Sequence, residues 1–216
     1  MGDFLTLAAE EPSAAKDAVL RTIRAGDVAV LASENGYIYA VDAFNVAAVE
    51  KIHAIRKADP GTACQVFVGS LKTVLGVSSN FDGDAKVIGE KYWPGQLTLL
   101  LRPQQGLSWD LGDGGVLDEF ALRIPSHKFL TQVLQESGPL AVASASIAHR
   151  EATSNINYVP ALPSEVGIYV DEGPLDSIAR STIIRAGISG LEMLREGDIS
   201  FDELQRVVTG ISGSPR

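Results

Sequence analysis

The sequence predicts one mixed-sheet α/β domain. Three observations predict it. Short apolar runs and amphipathic stretches interleave irregularly, without the regular βαβ alternation of an all-parallel sheet. The 216 residues are enough to bury a substantial core without metals or disulfides. A composition of 45% hydrophobic and 21% charged residues is that of an ordinary globular protein. Residues 1–208 are expected to form the domain, and 209–216, which include the small-residue end GISGSPR, a flexible tail.

The elements follow in order. Ser13 is the expected cap of a helix running to about Arg24, with Val19, Leu20 and Ile23 on one face and Gly26 just past its end. Strands Val28–Ala32 and Tyr37–Val41 come next. A second helix starts near Asn45, carries Val46, Val49 and Ile52 at a spacing of three, and stops before Pro60. Strands Cys64–Val68, Leu97–Leu101 and Ala121–Ile124 follow. Ser126 is the expected cap of a third helix, with Phe129, Leu130, Val133 and Leu134 as its buried stripe and Gly138 as its stop. After strands Leu140–Ala143, Val166–Val170 and Ser181–Ile184, the segment Ser200-Phe-Asp-Glu203 reads as a capping box opening a last short helix.

Charge and the absence of common motifs narrow the function. A net charge of −9 repels phosphate backbones and argues against a protein that coats nucleic acid, though a small basic cleft fits on an acidic body. Cys64 is the single cysteine, so it has no internal disulfide partner, and within CQVFV it reads as a small buried side chain. The N-terminus MGDFLTLAAEEPS has no basic region ahead of an apolar core, and no apolar run approaches a membrane span; a cytoplasmic location and no membrane partner are expected. The stretch from Gly83 to Gly89, followed by Glu90-Lys91, has the wrong spacing for a phosphate-binding P-loop. There is no GxGxxG, no GxSxG and no His/Cys/Asp set at metal spacing. His53, His127 and His149 read as surface or helix-start residues. No protein nucleophile and no metal ligand are expected.

Other segments do carry chemistry. In Trp93-Pro94-Gly95, proline fixes one backbone angle and glycine frees the next, giving a sharp turn into the strand at Leu97. In Ala121-Leu-Arg123-Ile-Pro125-Ser-His127 an arginine sits inside an apolar strand. An unpaired buried guanidinium is costly, so Arg123 is expected to face solvent or a polar cleft. Pro139-Leu-Ala-Val-Ala-Ser144-Ala-Ser146 runs a strand into small hydroxyl residues, a turn that suits phosphate or ribose.

Together with VAVLASENGYIYAVDA (28–43), IRKADP (55–60), STIIR (181–185) and LREGDIS (194–200), these segments resemble the YrdC-like family, the threonylcarbamoyl-adenylate synthases, over residues 15–200. The family patterns are W-P-G-P-L-T, A-[VL]-R-x-P-x-H, S-A-N-x-S-G, S-T-[VI]-[VI] and R-x-G-x-I. The resemblance implies a YrdC-like fold: a single twisted sheet, mixed parallel and antiparallel, with flanking helices. It implies that ATP, with Mg²⁺, L-threonine and bicarbonate give threonylcarbamoyl-AMP and pyrophosphate, for modification of a tRNA adenosine with partner proteins. Ser33 and Arg123 would hold threonine. Arg56, Ser144, Ser146, Ser181 and Arg195 would hold the nucleotide. Arg123, facing the cleft, would then matter for ligand and little for stability.

The chain departs from the family at Ala32, Ile38, Ala58, Gln96, Ser146, Ala148 and His149. The family's K-x-R-P, two cations for the triphosphate, becomes Arg56 and Ala58. One lost charge-assisted phosphate contact costs about 1.5–3 kcal/mol, on the order of ten- to a hundredfold in affinity. His149 stands where the family has a glycine, placing a ring where the family leaves room for ligand. These changes define the alternative: a non-catalytic relative that binds a nucleotide or double-stranded RNA, or acts through a protein partner. The net charge disfavours RNA.

Overall fold

A computed structural model describes residues 3–7, 11–116, 118–161, 164–176 and 179–213. Along the chain lie β1 (Asp3–Thr6), α1 (Pro12–Arg24), β2 (Ala29–Ser33), β3 (Gly36–Asp42), α2 (Val46–Arg56), β4 (Gln65–Phe67), α3 (Leu71–Val77) and α4 (Gly83–Tyr92). Then come β5 (Leu97–Leu101), β6 (Phe120–Arg123), α5 (Lys128–Ser137), β7 (Leu140–Ser144), β8 (Ile168–Asp171), β9 (Thr182–Gly187), β10 (Gly190–Arg195) and α6 (Phe201–Gln205). The strands form one sheet in the order β1-β8-β2-β3-β7-β4-β6-β5-β9-β10. Its pairings are mixed: β1 with β8, β8 with β2, β4 with β6 and β5 with β9 are parallel, and the rest antiparallel. The fold is the single-domain mixed-sheet α/β architecture that the sequence predicts.

Both faces of the sheet are covered, which explains why its strands are apolar at consecutive positions and not only at alternate ones. Strand β2 sends Ala29 and Leu31 to one layer and Val30 and Ala32 to the other; β3 divides Ile38 and Ala40 from Tyr37, Tyr39 and Val41. Helices α1 and α5 close the first face with Val19, Leu20 and Ile23 against Phe129, Leu130, Val133 and Leu134. Helices α2 and α4 contribute Val49, Ile52 and Ile88 to the second. Each such side chain, when fully buried, contributes about 1.5–3 kcal/mol.

Several helix starts differ from expectation. Helix α1 begins at Pro12, with Glu11 as its cap and no side-chain capping bond, so Ser13 falls inside the first turn. Proline at that position gives up only a donor that would be unpaired anyway. Helix α5 is capped by His127, whose Nδ1 faces the Leu130 amide at 3.5 Å. Ser126 is drawn away instead: its amide and hydroxyl donate to Glu34 Oε1 at 2.8 and 3.2 Å. A carboxylate is the stronger acceptor and wins the hydroxyl. In α2, Asn45 caps as expected, accepting from the Ala48 amide, but Val46 is 39% exposed and Ala48 takes its place on the buried stripe.

Strands β1 and β10 and helices α3 and α4 are additions to the expected set. Helix α4 absorbs the glycine-containing segment from Gly83 to Gly89. Gly89 is required there, because a Cβ would lie 2.6 Å from the Phe81 ring, which stacks on Trp93. The end of the chain is tied down further than expected: Ser212 exchanges backbone bonds of 2.8 Å with Leu191 and Met193 of β10, and residues 214–216 lie outside the described residues. His53 is not a surface residue. Its Nε2 lies 2.9 Å from Leu111 O and 3.5 Å from Cys64 Sγ, in a space that Gly112 keeps open. Among the described residues no helix is long and apolar enough to cross a membrane.

Candidate functional site

A cavity of about 540 Å³ opens where β2–β3, β4, β6, β7 and the approaches to β9 and β10 meet. Ser33, Arg123, Ser144, Ser181 and Arg195 all line it, though they come from five distant segments. A second cavity of about 300 Å³ adjoins it, lined by Arg56, Ala58, Asp59 and Cys64 among others. The two share Gln65, Val142, Ala143, Ser144 and His149.

Arg123 is the most constrained of these side chains, at 1% exposure. Nε donates to Gly95 O at 2.7 Å, Nη1 to Asn35 Oδ1, and Nη2 to Glu34 Oε1 and, at 2.9 Å, to Gln96 Oε1. Asn35 Nδ2 in turn donates to Gln96 Oε1 at 2.8 Å. The guanidinium also lies over the Phe67 ring at 5.6 Å. Burial holds its pKa below the usual arginine value, and Glu34 works against that shift. Arg123 therefore does face a polar cleft, but Glu34 neutralises it and two amides cover its edge. The W-P-G turn supplies the third side: Gly95 presents its carbonyl to Arg123, and a Cβ there would lie 2.6 Å from Tyr92 O.

The hydroxyl sites differ in availability. Ser33 Oγ donates to Gly36 O at 2.7 Å and accepts from the Asn35 amide at 3.2 Å, so it holds the β2–β3 turn while lining the cavity. Ser181 Oγ accepts from Thr98 Oγ1 at 3.0 Å and from Arg195 Nη2 at 3.1 Å, which leaves its own proton for the cavity. Gln65 Nε2 donates to Thr98 at 3.0 Å, so a directed polar chain runs Gln65, Thr98, Ser181. Thr182 points the other way, by strand alternation. Its hydroxyl donates to Ile199 O at 2.7 Å and accepts from the Gly197 and Ile199 amides. Ser146 does not join the lining. It is 6% exposed, and its hydroxyl turns back to Arg150 O at 3.4 Å.

The expected phosphate corner is committed to structure. Arg56 Nη1 donates to Ser144 O and, at 3.0 Å, to Ser146 O, so its guanidinium clamps the serine turn. Burial lowers its pKa. Lys57 closes α2 in the left-handed region at φ 52 and is exposed. His149 also takes a left-handed backbone, at φ 62, where glycine is the ordinary occupant. Its ring, on the rim of both cavities, meets Asp59 Oδ2 at 2.8 Å. Ile38 stands in the wall of the larger cavity. Cys64 is 3% exposed and burial pushes its thiol up to about 12, which fits its reading as an inert core residue.

A family profile described as Sua5/YciO/YrdC, telomere recombination, matches residues 21–197. The chain belongs to that family. A Mycobacterium tuberculosis relative, provisionally named for threonylcarbamoyl-AMP synthesis, is 31% identical over 86% of this chain and 85% of its own. The Bacillus subtilis threonylcarbamoyl-AMP synthase is 26% identical over 94% of this chain and 58% of its own. The crystal structure of Pyrococcus abyssi Sua5 complexed with L-threonine superposes with a TM-score of 0.87 at 21% identity, over 100% of this chain but 63% of that one. Escherichia coli YciO superposes at 0.78 with 20% identity, over 92% and 97%. The two structures establish the fold; the chain spans less than two thirds of that Sua5.

Within a Sua5/YciO/YrdC domain, sequence reasoning found Ser33, Arg123, Ser144, Ser181 and Arg195 of the cavity, but not Arg150 or Arg180 of its lining, nor most of the hydrogen-bond partners. Asn35, Gln65 and Thr98 carried no local signal, and Ser126 read only as a helix cap. Gln96 was visible only as a departure from the W-P-G-P turn.

Proposed function

We propose that the chain makes threonylcarbamoyl-AMP and pyrophosphate from ATP, L-threonine and bicarbonate. The observation that carries the reading is the convergence of Ser33, Arg123, Ser144, Ser181 and Arg195 on one cavity in a chain whose relatives include named synthases. The amine attacks the bicarbonate carbon, a C–O bond breaks and water leaves to give the carbamate; a carbamate oxygen then attacks the α-phosphorus of ATP, and pyrophosphate leaves. No protein nucleophile is needed. The protein supplies position and positive charge. Ser181, polarised by Thr98 and held by Arg195, offers a hydroxyl proton to the bound ligand. Mg²⁺ enters as the counter-ion of ATP, held by phosphate oxygens, the usual mode for this ion. Among the described residues no group of three acidic, histidine or cysteine side chains is placed to hold a metal by itself.

The same reading assigns the protein to the cytoplasm, working as one unit over residues 1–208 and passing its product to tRNA-modification partners. A second reading, a nucleotide-binding relative without turnover, is favoured by one observation: Arg56 is tied to two carbonyls and Ala58 offers no charge beside it. Incubation with ATP, Mg²⁺ and bicarbonate, with and without L-threonine, separates them. The synthase reading expects threonine-dependent pyrophosphate release. Its absence, with AMP binding retained in calorimetry, favours the second reading. A salt titration with double-stranded RNA is expected to show no specific affinity, given the charge of −9.

A further inference from the structure

The charge around the two cavities is unevenly distributed. The smaller one has Arg56 against Asp59, and Arg56 is engaged by backbone carbonyls. It therefore offers no net positive charge to an anion. The larger one has Arg123 already neutralised by Glu34. Beyond that pair its wall carries Arg150, Arg180 and Arg195, against the single carboxylate of Glu151. This is a local excess of cations on a protein whose net charge is −9.

Among the described residues, hydrogen bonds hold only one of these three guanidinium groups. Arg150 and Arg180 are exposed, and among the described residues neither side chain makes an ion pair or hydrogen bond. Arg195 donates only to Ser181, through Nε and Nη2, and its Nη1 makes no hydrogen bond among the described residues. Arg180 lies near enough to Arg195 to oppose its charge, adding to the effect of burial. Like charges gathered around one cavity against a single carboxylate cost free energy that an anionic ligand relieves. Arg180 immediately precedes the Ser181 whose hydroxyl is left for the cavity, and Arg150 follows the Ser144–His149 turn that also lines it.

We propose that Arg150 and Arg180 join Arg195 in an anion-holding edge of the larger cavity, and that this edge, not the Arg56–Ala58 corner, takes the phosphates of the nucleotide. The proposal rests on the nucleotide-binding reading above and deepens it by locating the phosphates. The corner that lost a cation at Ala58 is closed further by the His149–Asp59 bridge, whose carboxylate repels a polyphosphate. The cations stand instead in the lining of the larger cavity.

Calorimetry with inorganic pyrophosphate and with ATP at low ionic strength tests this on the wild type, on an Arg150→Ala/Arg180→Ala double variant and on Asp59→Asn. Neither arginine has a hydrogen-bond or ion-pair partner among the described residues, so the double variant should keep the wild-type melting temperature. It should bind both ligands on the order of tenfold or more weaker per guanidinium removed, while Asp59→Asn leaves affinity within about twofold. If the double variant binds both as the wild type does, or if Asp59→Asn binds them tenfold tighter, the edge is refuted and the nucleotide reading stands. If the wild type binds pyrophosphate through these arginines but not ATP, the edge stands and the nucleotide reading falls. If the wild type binds neither, both fall.

Discussion

Replacing Arg123 with alanine is expected to lower the unfolding free energy by about 3–5 kcal/mol, the loss that follows when one partner of a buried ion pair is removed. The guanidinium fills four acceptors from two segments: Glu34 Oε1 and Asn35 Oδ1 in one, Gly95 O and Gln96 Oε1 in the other. Without it, Glu34 remains as a mostly buried carboxylate whose other oxygen, Oε2, already has no partner. Urea unfolding followed by the buried Trp93 and Trp109 measures the effect. The double variant Glu34→Gln/Arg123→Met should recover much of the loss, because it removes both charges together. A wild-type midpoint for Arg123→Ala would show the guanidinium to be free for ligand. This reverses the sequence-based expectation that Arg123 matters little for stability. An arginine in an apolar strand correctly announced a cleft. It did not announce that Asn35 and Gln96, from two other segments, would cover it.

The second large effect belongs to Gly197 of the R-x-G segment. A Cβ there would lie 2.2 Å from Arg180 O and 2.6 Å from the Ser181 carbonyl carbon. Both obstacles are backbone, so no side chain can rotate out of the way. Gly197→Ala should cost about 1–3 kcal/mol or more by overpacking. The strain is placed on the segment that carries Arg180 and Ser181, and Arg195 is bonded to Ser181. Stability and ATP affinity should therefore fall together in Gly197→Ala. Loss of stability with unchanged affinity would show that the cavity edge does not depend on this approach. The conformational freedom of glycine is not at issue here; the demand is for space.

The same contrast between local and distant causes explains what the sequence showed. Strands β5 and β7 and helix α2 were legible because their apolar runs and the Asn45 cap are local signals. Ser126 failed as a cap because Glu34, 92 positions away, competes for its hydroxyl. Edge strands β1 and β10 were missed because β1 buries none of its four residues and β10 only two of six, so their sequences carry weak apolar runs. In the site, Ser144 and Ser146 read alike as a pair of hydroxyls, and only the turn geometry separates a lining residue from a buried one. Arg56 kept its charge in sequence, yet that charge is directed at two carbonyls of the serine turn. His149 was legible as a residue standing where glycine is expected. Its positive φ agrees, and its bond to Asp59 could not be foreseen.

The most direct test of the account is a crystal structure of the protein soaked with AMP. The account predicts a nucleotide in the 540 Å³ cavity, with its phosphate within hydrogen-bonding reach of the Arg195 side and the Ser181 hydroxyl. Density for AMP on another surface, or an empty cavity at saturating AMP, would contradict it.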